Sequence, residues 1–173
     1  DNCDVLGRLP RECVDLVVTS PPYDDLRTYG GHSWDFFGVA WQLVRVLKPG
    51  GVIVWVVADA TKDGSETGTS MEQALHFKRL GLRLHDTMIY QTSKPPMNDR
   101  RYQAAWEYML VLTKGEPKTW NPIKQPTKHA GESVSGTYWN TDGSMKARHG
   151  RNPVAAESVR ENVWRMVERP GNG

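Results

Sequence analysis

The sequence predicts an α/β fold: a doubly wound, mostly parallel sheet with an antiparallel hairpin at one edge. Two observations point there first. Residues 14–18, "VDLVV", and 52–57, "VIVWVV", are short β-branched runs of the kind that fill the middle of a sheet. Between them the apolar residues recur at helical spacing. The third observation is order: strand, helix, strand, helix, strand, then a last strand with no helix before it.

The elements follow in turn. "DVLGRL" at 4–9 reads as a helical turn before the opening strand. Phe37, Ala40, Trp41, Val44 and Leu47 mark a helix with Ser33 as its N-cap, and "KPGG" at 48–51 reads as its stop. "VIVWVV" is apolar throughout, which predicts cover on both faces. A polar loop, "ADATKDGSETGTS", comes next. Ser70 and Gln73 have the spacing of a capping box for a helix to about Leu80, with Gly81 as its stop. Residues 82–90 and 105–113 read as strands joined by "QTSKPPMNDRRYQA". Beyond Lys114 the composition turns to Pro, Gly, Asn, Ser and Thr with scattered tryptophans, and little regular period is expected before "ENVWRMV".

Size and charge narrow the function. The chain has 173 residues, a one-domain length, and a formal charge of +2. Residues 94–151 carry ten basic and five acidic side chains, so this segment is basic while the remainder is acidic. A basic segment on a neutral body suits a polyanion partner; a solvated basic loop is the plain alternative. Cys3 and Cys13 are the only cysteines, which fits reduced thiols in a cytoplasmic protein and neither a disulfide scaffold nor a metal site. No apolar run is long enough for a membrane span. The first residue is Asp, so the expectation is a piece of a longer protein.

The opening strand ends in "TSPPY", residues 19–23. Adjacent prolines cannot donate to a ladder and stiffen what precedes them, so a rigid corner stands at the carboxyl end of a strand. Ligands of open α/β sheets bind at such ends. "TSPPY" in this position resembles the catalytic motif of β-type, permuted DNA amino-methyltransferases. "LVRVLKPGGVIVWVV", "FKRLGLRLHDTMIY" and "WEYMLVLTKG" resemble the segments that follow it there, so the similarity spans roughly residues 1–125.

The resemblance implies a Rossmann-like methyltransferase sheet and S-adenosylmethionine as methyl donor. It also implies an exocyclic amino group of a flipped base in double-stranded DNA as acceptor, cytosine N4 slightly favoured over adenine N6. Ser20 and Pro21 would accept hydrogen bonds from that amino group, Pro22 would hold the corner rigid, and Tyr23 would stack on the base. Asp1, Thr19 and Asp59 are the cofactor-side candidates, Asp59 equally as a loop cap. Tyr102 would be a second stacking surface. Arg100, Arg101 and Lys94 would hold phosphates, or lie simply solvated.

On this reading residues 1–114 are the catalytic-motif half. Residues 115–165, with Trp120 and Trp139, are the target-recognition segment, and 166–173 begin a link to the cofactor-binding half. The Gly-rich turn that such enzymes use for the cofactor, written Asp-Pro-Phe-x-Gly-x-Gly, does not occur in residues 1–173. The sheet is therefore expected to be incomplete, and the rival reading is a non-catalytic DNA-binding remnant. The family context, bacterial or phage-encoded, allows a homodimer and a restriction endonuclease partner.

Overall fold

In the computed structural model the described residues are 2–22, 34–92, 101–102, 104–133, 135–149 and 153–165. They fall into two compact units, Asp1–Trp120 with Asn162–Gly173, and Asn121–Glu161. In chain order the elements are α1 (Asn2–Arg8), β1 (Val14–Thr19), α2 (Phe36–Val46), β2 (Leu47–Val57), β3 (Thr61–Lys62), β4 (Ser65–Glu66), α3 (Thr69–Arg79), β5 (Arg83–Gln91) and β6 (Trp106–Thr113). Then come β7 (Lys124–Pro126), β8 (Ser135–Trp139), β9 (Met145–His149), β10 (Glu157–Val159) and β11 (Val163–Arg165).

The first unit is built on a five-stranded sheet in the order β1-β2-β6-β5-β11. β1 and β2 pair in parallel, as do β5 and β11, while β6 runs against both β2 and β5. Four strands therefore share one direction, the mostly parallel α/β sheet expected. β5 and β6 form the expected antiparallel hairpin. It lies inside the sheet, because β6 slots beside β2 and β11 adds to the outer side of β5.

One face of this sheet carries the core. Ile53, Trp55 and Val57 of β2 are fully buried with Leu110 and Leu112 of β6, under Phe36, Val39, Ala40 and Leu43 of α2 and Ala74 and Phe77 of α3. Cys3 and Leu6 of α1 pack onto the same cluster. The alternate residues of β2, Val52, Val54 and Val56, are only half-buried, and Leu16 and Val18 of β1 stand 58% and 65% exposed. Cover on both faces of "VIVWVV" was the expectation; within the described residues all three helices lie on one face.

Several helix signals resolve differently from their sequence reading. Ser33 lies outside the described residues, and Asp35 caps α2, its carboxylate accepting the Gly38 N–H at 3.0 Å. The buried stripe of α2 is Phe36, Val39, Ala40, Leu43 and Val46, one residue off the expected one, and Phe37 and Trp41 are 55% and 51% exposed. "FFGVAWQLV" contains two overlapping apolar stripes. The one that seats Phe36 edge-on against Trp55 and Phe77, with centroids at 6.0 and 5.6 Å, takes the core.

"KPGG" does not interrupt the chain either. Leu47 is already extended, so α2 runs straight into β2, and Gly50 holds a left-handed φ of +78°. A Cβ there would come within 2.5 Å of the Lys118 side chain, so glycine is needed for both conformation and space.

Ser70 and Gln73 do not form a capping box. The N-cap is Gly68, which puts Ser70 in the first turn, where its N–H and hydroxyl both donate to Asp59, at 2.8 and 2.6 Å. Gln73 points inward and accepts the Trp55 Nε1–H at 2.8 Å. Gly81, at φ +94°, ends the α3 region as expected. In the loop before α3, Asp63 and Gly64 both take positive φ, 49° and 77°, which makes a tight β3–β4 hairpin.

Two helix C-termini are closed by basic side chains from elsewhere. Lys114 Nζ donates to the Val44 and Leu47 carbonyls at 3.1 and 2.9 Å and to Glu12 at 3.2 Å. Arg45 donates to the Leu9 and Leu6 carbonyls at 3.0 and 2.7 Å, at the end of α1. A cation at the negative end of a helix is favourable. Lys114 thus belongs to the scaffold, although by sequence it counts toward the basic segment.

The second unit, where little regular period was expected, consists of two antiparallel pairs, β7 with β10 and β8 with β9. Their strands are three to five residues long, too short for an alternation to stand out from the polar background.

Candidate active site

The corner forms where β1 runs out. Thr19 is the last residue of β1 and pairs in register with Trp55 of β2, which is fully buried. Ser20 follows on the surface, then Pro21, buried, and Pro22, half-buried. Neither proline has an N–H to continue the ladder, so the chain leaves the sheet at a fixed place. The corner opens into a cavity of about 460 Å³ lined by Thr19, Ser20, Pro21 and Pro22, with Asn2 and Trp34 among the facing residues. Small-molecule sites run from about 300 to 1,000 Å³.

The cavity wall is apolar behind and polar at the corner. Val17, Val39, Leu43 and Trp55 form the back, continuous with the core. Trp34 contributes an indole whose Nε1–H is buried without a hydrogen-bond partner among the described residues. A buried donor left unmatched costs about 1–3 kcal/mol, and such groups mark places where a further partner is wanted.

The other sequence-nominated residues are less concentrated. Thr19 lines the cavity, whereas the two oxygens of Asp59 are engaged by Ser70 at the start of α3, the loop-cap role that was its alternative. Arg101 donates to the Gly64 carbonyl at the β3–β4 turn, and Tyr102 beside it is fully exposed. Asp1, Tyr23, Lys94 and Arg100 lie outside the described residues. Sequence reasoning missed Trp34 and Asn2 as lining residues. A tryptophan one residue before a capping Asp, after a glycine pair, was the available signal for the first.

Comparison with known proteins places this geometry. The N6/N4 DNA methylase family model matches residues 14–172. The chain is 47% identical over 157 residues to the orphan methyltransferase M.BamHII of Bacillus amyloliquefaciens, an alignment covering 88% of this chain and 59% of that protein. Among solved structures, one assigned as a DNA modification methylase from Thermus thermophilus is 25% identical. It superposes with a TM-score of 0.55 over 74% of this chain and 55% of its own. The PvuII DNA methyltransferase, cytosine-N4-specific, shares the fold with a TM-score of 0.59 at 20% identity, over 100% of this chain and 57% of its own. The chain thus spans between 55% and 59% of the length of these three relatives.

Proposed function

Because the chain belongs to the family of N6/N4 DNA methylases, we propose that it supplies the base-holding half of a DNA amino-methyltransferase that uses S-adenosylmethionine. One observation carries this: Thr19, Ser20, Pro21 and Pro22 turn off the carboxyl end of β1 into a cavity of about 460 Å³.

The chemistry asks for hydrogen-bond acceptors. An exocyclic amino nitrogen is a poor nucleophile because its lone pair is delocalised into the ring. Ser20 Oγ and the Pro21 carbonyl accept its two N–H groups and draw the nitrogen toward tetrahedral geometry, which localises the lone pair. The two prolines fix both acceptors, so little reorganisation accompanies the reaction. Tyr23 stacks on the flipped base, and Tyr102 is the second aromatic surface. Lys94, Arg100 and Arg101 hold the flanking phosphates. Cytosine N4 is favoured over adenine N6 on the serine of the motif.

The described residues fit one side of the methyl donor. The cavity has room and an unmatched indole donor, and Thr19 and Asn2 line it. Asp1 belongs with them on this reading, while Asp59 acts through α3. When bound, S-adenosylmethionine supplies an electrophilic methyl on a sulfonium. Titrating it into the 173-residue chain alone should give binding weaker than micromolar, since the chain has no Gly-rich turn for it. The second reading is a DNA-binding remnant without catalysis.

Ser20→Ala in the complete protein separates the two. Losing one preorganised partner of the reacting group costs about 3 kcal/mol, roughly a hundredfold in single-turnover methyl transfer, with DNA affinity nearly unchanged. A change of less than a few-fold would refute the role given to Ser20.

A further inference from the structure

The loop from Asp59 to Ser70 follows the carboxyl end of β2 and is built more firmly than packing explains. Every residue of the β3–β4 hairpin within it, 61–66, is exposed. The hairpin is nevertheless closed at each level. Asp59 takes the N–H and hydroxyl of Ser70, the Thr67 N–H donates to the Ala60 carbonyl at 2.9 Å, Thr61 pairs with Glu66 and Lys62 with Ser65. Asp63 and Gly64 supply the two positive φ angles that a tight turn of this hand requires. An exposed two-stranded hairpin adds little stability by itself.

What its tip offers is a carbonyl. Arg101, in the connection between β5 and β6, donates through Nη2 to the Gly64 carbonyl, across 37 residues of sequence. Both partners leave the sheet at one end. β2 finishes at Val57, which pairs with Tyr108 near the start of β6, and Thr19 of the corner pairs with Trp55 two residues earlier. Arg101 is exposed, and no carboxylate pairs with it among the described residues. A guanidinium carries five N–H donors in one rigid plane. Fixing one of them on Gly64 fixes the plane and leaves the others to a ligand, with less entropy to lose on binding.

We propose that the β3–β4 hairpin is a post for Arg101: the Gly64 carbonyl holds the guanidinium so that its free donors meet a backbone phosphate of the DNA. This rests on the DNA-methylase reading and adds to it the element that orients one phosphate contact. Arg101 touches the DNA, and the hairpin acts through Arg101. Charge separates this from a hairpin that binds DNA directly, because residues 61–66 carry Lys62 against Asp63 and Glu66.

The test uses the complete protein and a mixed-sequence duplex, with affinity measured over a range of salt concentrations. Deleting Asp63 and Gly64 together withdraws the carbonyl and removes a negative charge. By charge alone, DNA binding should tighten. The post predicts the opposite sign: weaker binding, and a slope of log affinity against log salt lower by about one, as for a lost phosphate contact. Arg101→Gln should give the same loss, and combining it with the deletion should add little to either. Arg101→Lys keeps the charge without the fork and should not restore wild-type affinity. Tighter binding by the deletion variant, additive losses in the combined variant, or full affinity with lysine would each overturn the proposal. The Asp59–Ser70 and Thr67–Ala60 ties survive the deletion, so thermal unfolding should match the wild type; a lowered transition would make the loss a folding effect and overturn it as well. Failure of the wild type to bind duplex would take the DNA-methylase reading down with it. Intact binding and Ser20-dependent methyl transfer beside an indifferent hairpin would overturn the post alone.

Discussion

Val17 and Val18 are neighbours on β1 with identical side chains, and they meet opposite environments. Val17 packs on the core cluster, while Val18 is 65% exposed. The same division runs across β2, where Ile53, Trp55 and Val57 are sealed and Val52, Val54 and Val56 are half-open. Register carries it onto β6, because Val54 pairs with Val111 and Val56 with Met109, both half-buried. A strand buried on one face alternates apolar with polar. These strands are apolar on both. The sequence is written for two layers of cover, and the described helices supply one.

The largest expected contrast comes from striking the covered face. Trp55→Ala removes a fully buried indole and leaves Gln73 without its donor. Truncations of this kind cost about 3–5 kcal/mol, a large part of a domain's total stability. Urea unfolding should show a much lower midpoint or no cooperative transition. A midpoint within experimental error of the wild type would mean that the covered face is not the core.

A middle-sized effect is expected where the helical layer is fastened. Lys114→Met keeps the length of the stem and removes the ammonium from the Val44 and Leu47 carbonyls and Glu12. Loss of a charged donor at half-buried acceptors, at the end of a helix, costs about 1–3 kcal/mol. Part of that loss should persist in high salt, because Lys114 is largely shielded, with a side chain 26% exposed. Complete rescue or complete indifference to salt would assign the effect to charge or to packing alone.

These residues also mark where the sequence was readable. The strands were legible because β-branched runs leave few alternatives, and the Ser20–Pro22 corner because two prolines cannot continue a ladder. The stripe of α2 was ambiguous because "FFGVAW" offers two, and only the tertiary contact of Phe36 with Trp55 chooses. Gln73 and Lys114 were misjudged because their partners, Trp55 and the end of α2, are distant in sequence. The candidate site was half legible. Ser20 and Pro21 were evident from the motif, whereas Trp34 enters through a fold-dependent approach to the cavity. The β3–β4 hairpin could have been read, since Asp63-Gly64 is a strong turn signal.

The smallest expected effect tests the comparison most sharply. Leu16→Thr with Val18→Thr alters the bare face while keeping strand-forming side chains in β1. Both positions are more than half exposed, so truncation leaves no cavity, and the double change should shift unfolding by only about 0.5 kcal/mol. What should change is behaviour between molecules. Removing apolar surface beside the edge of β1, which no described strand pairs, should lower binding of a hydrophobic dye and raise the concentration at which the chain associates. If the double variant loses as much stability as Trp55→Ala, the face is buried in solution. Unfolding midpoints that rise with protein concentration would then identify a second copy of the chain as the cover. If dye binding and association stay as they were, Leu16 and Val18 are not the exposed apolar surface, and the contrast between the two faces fails at β1.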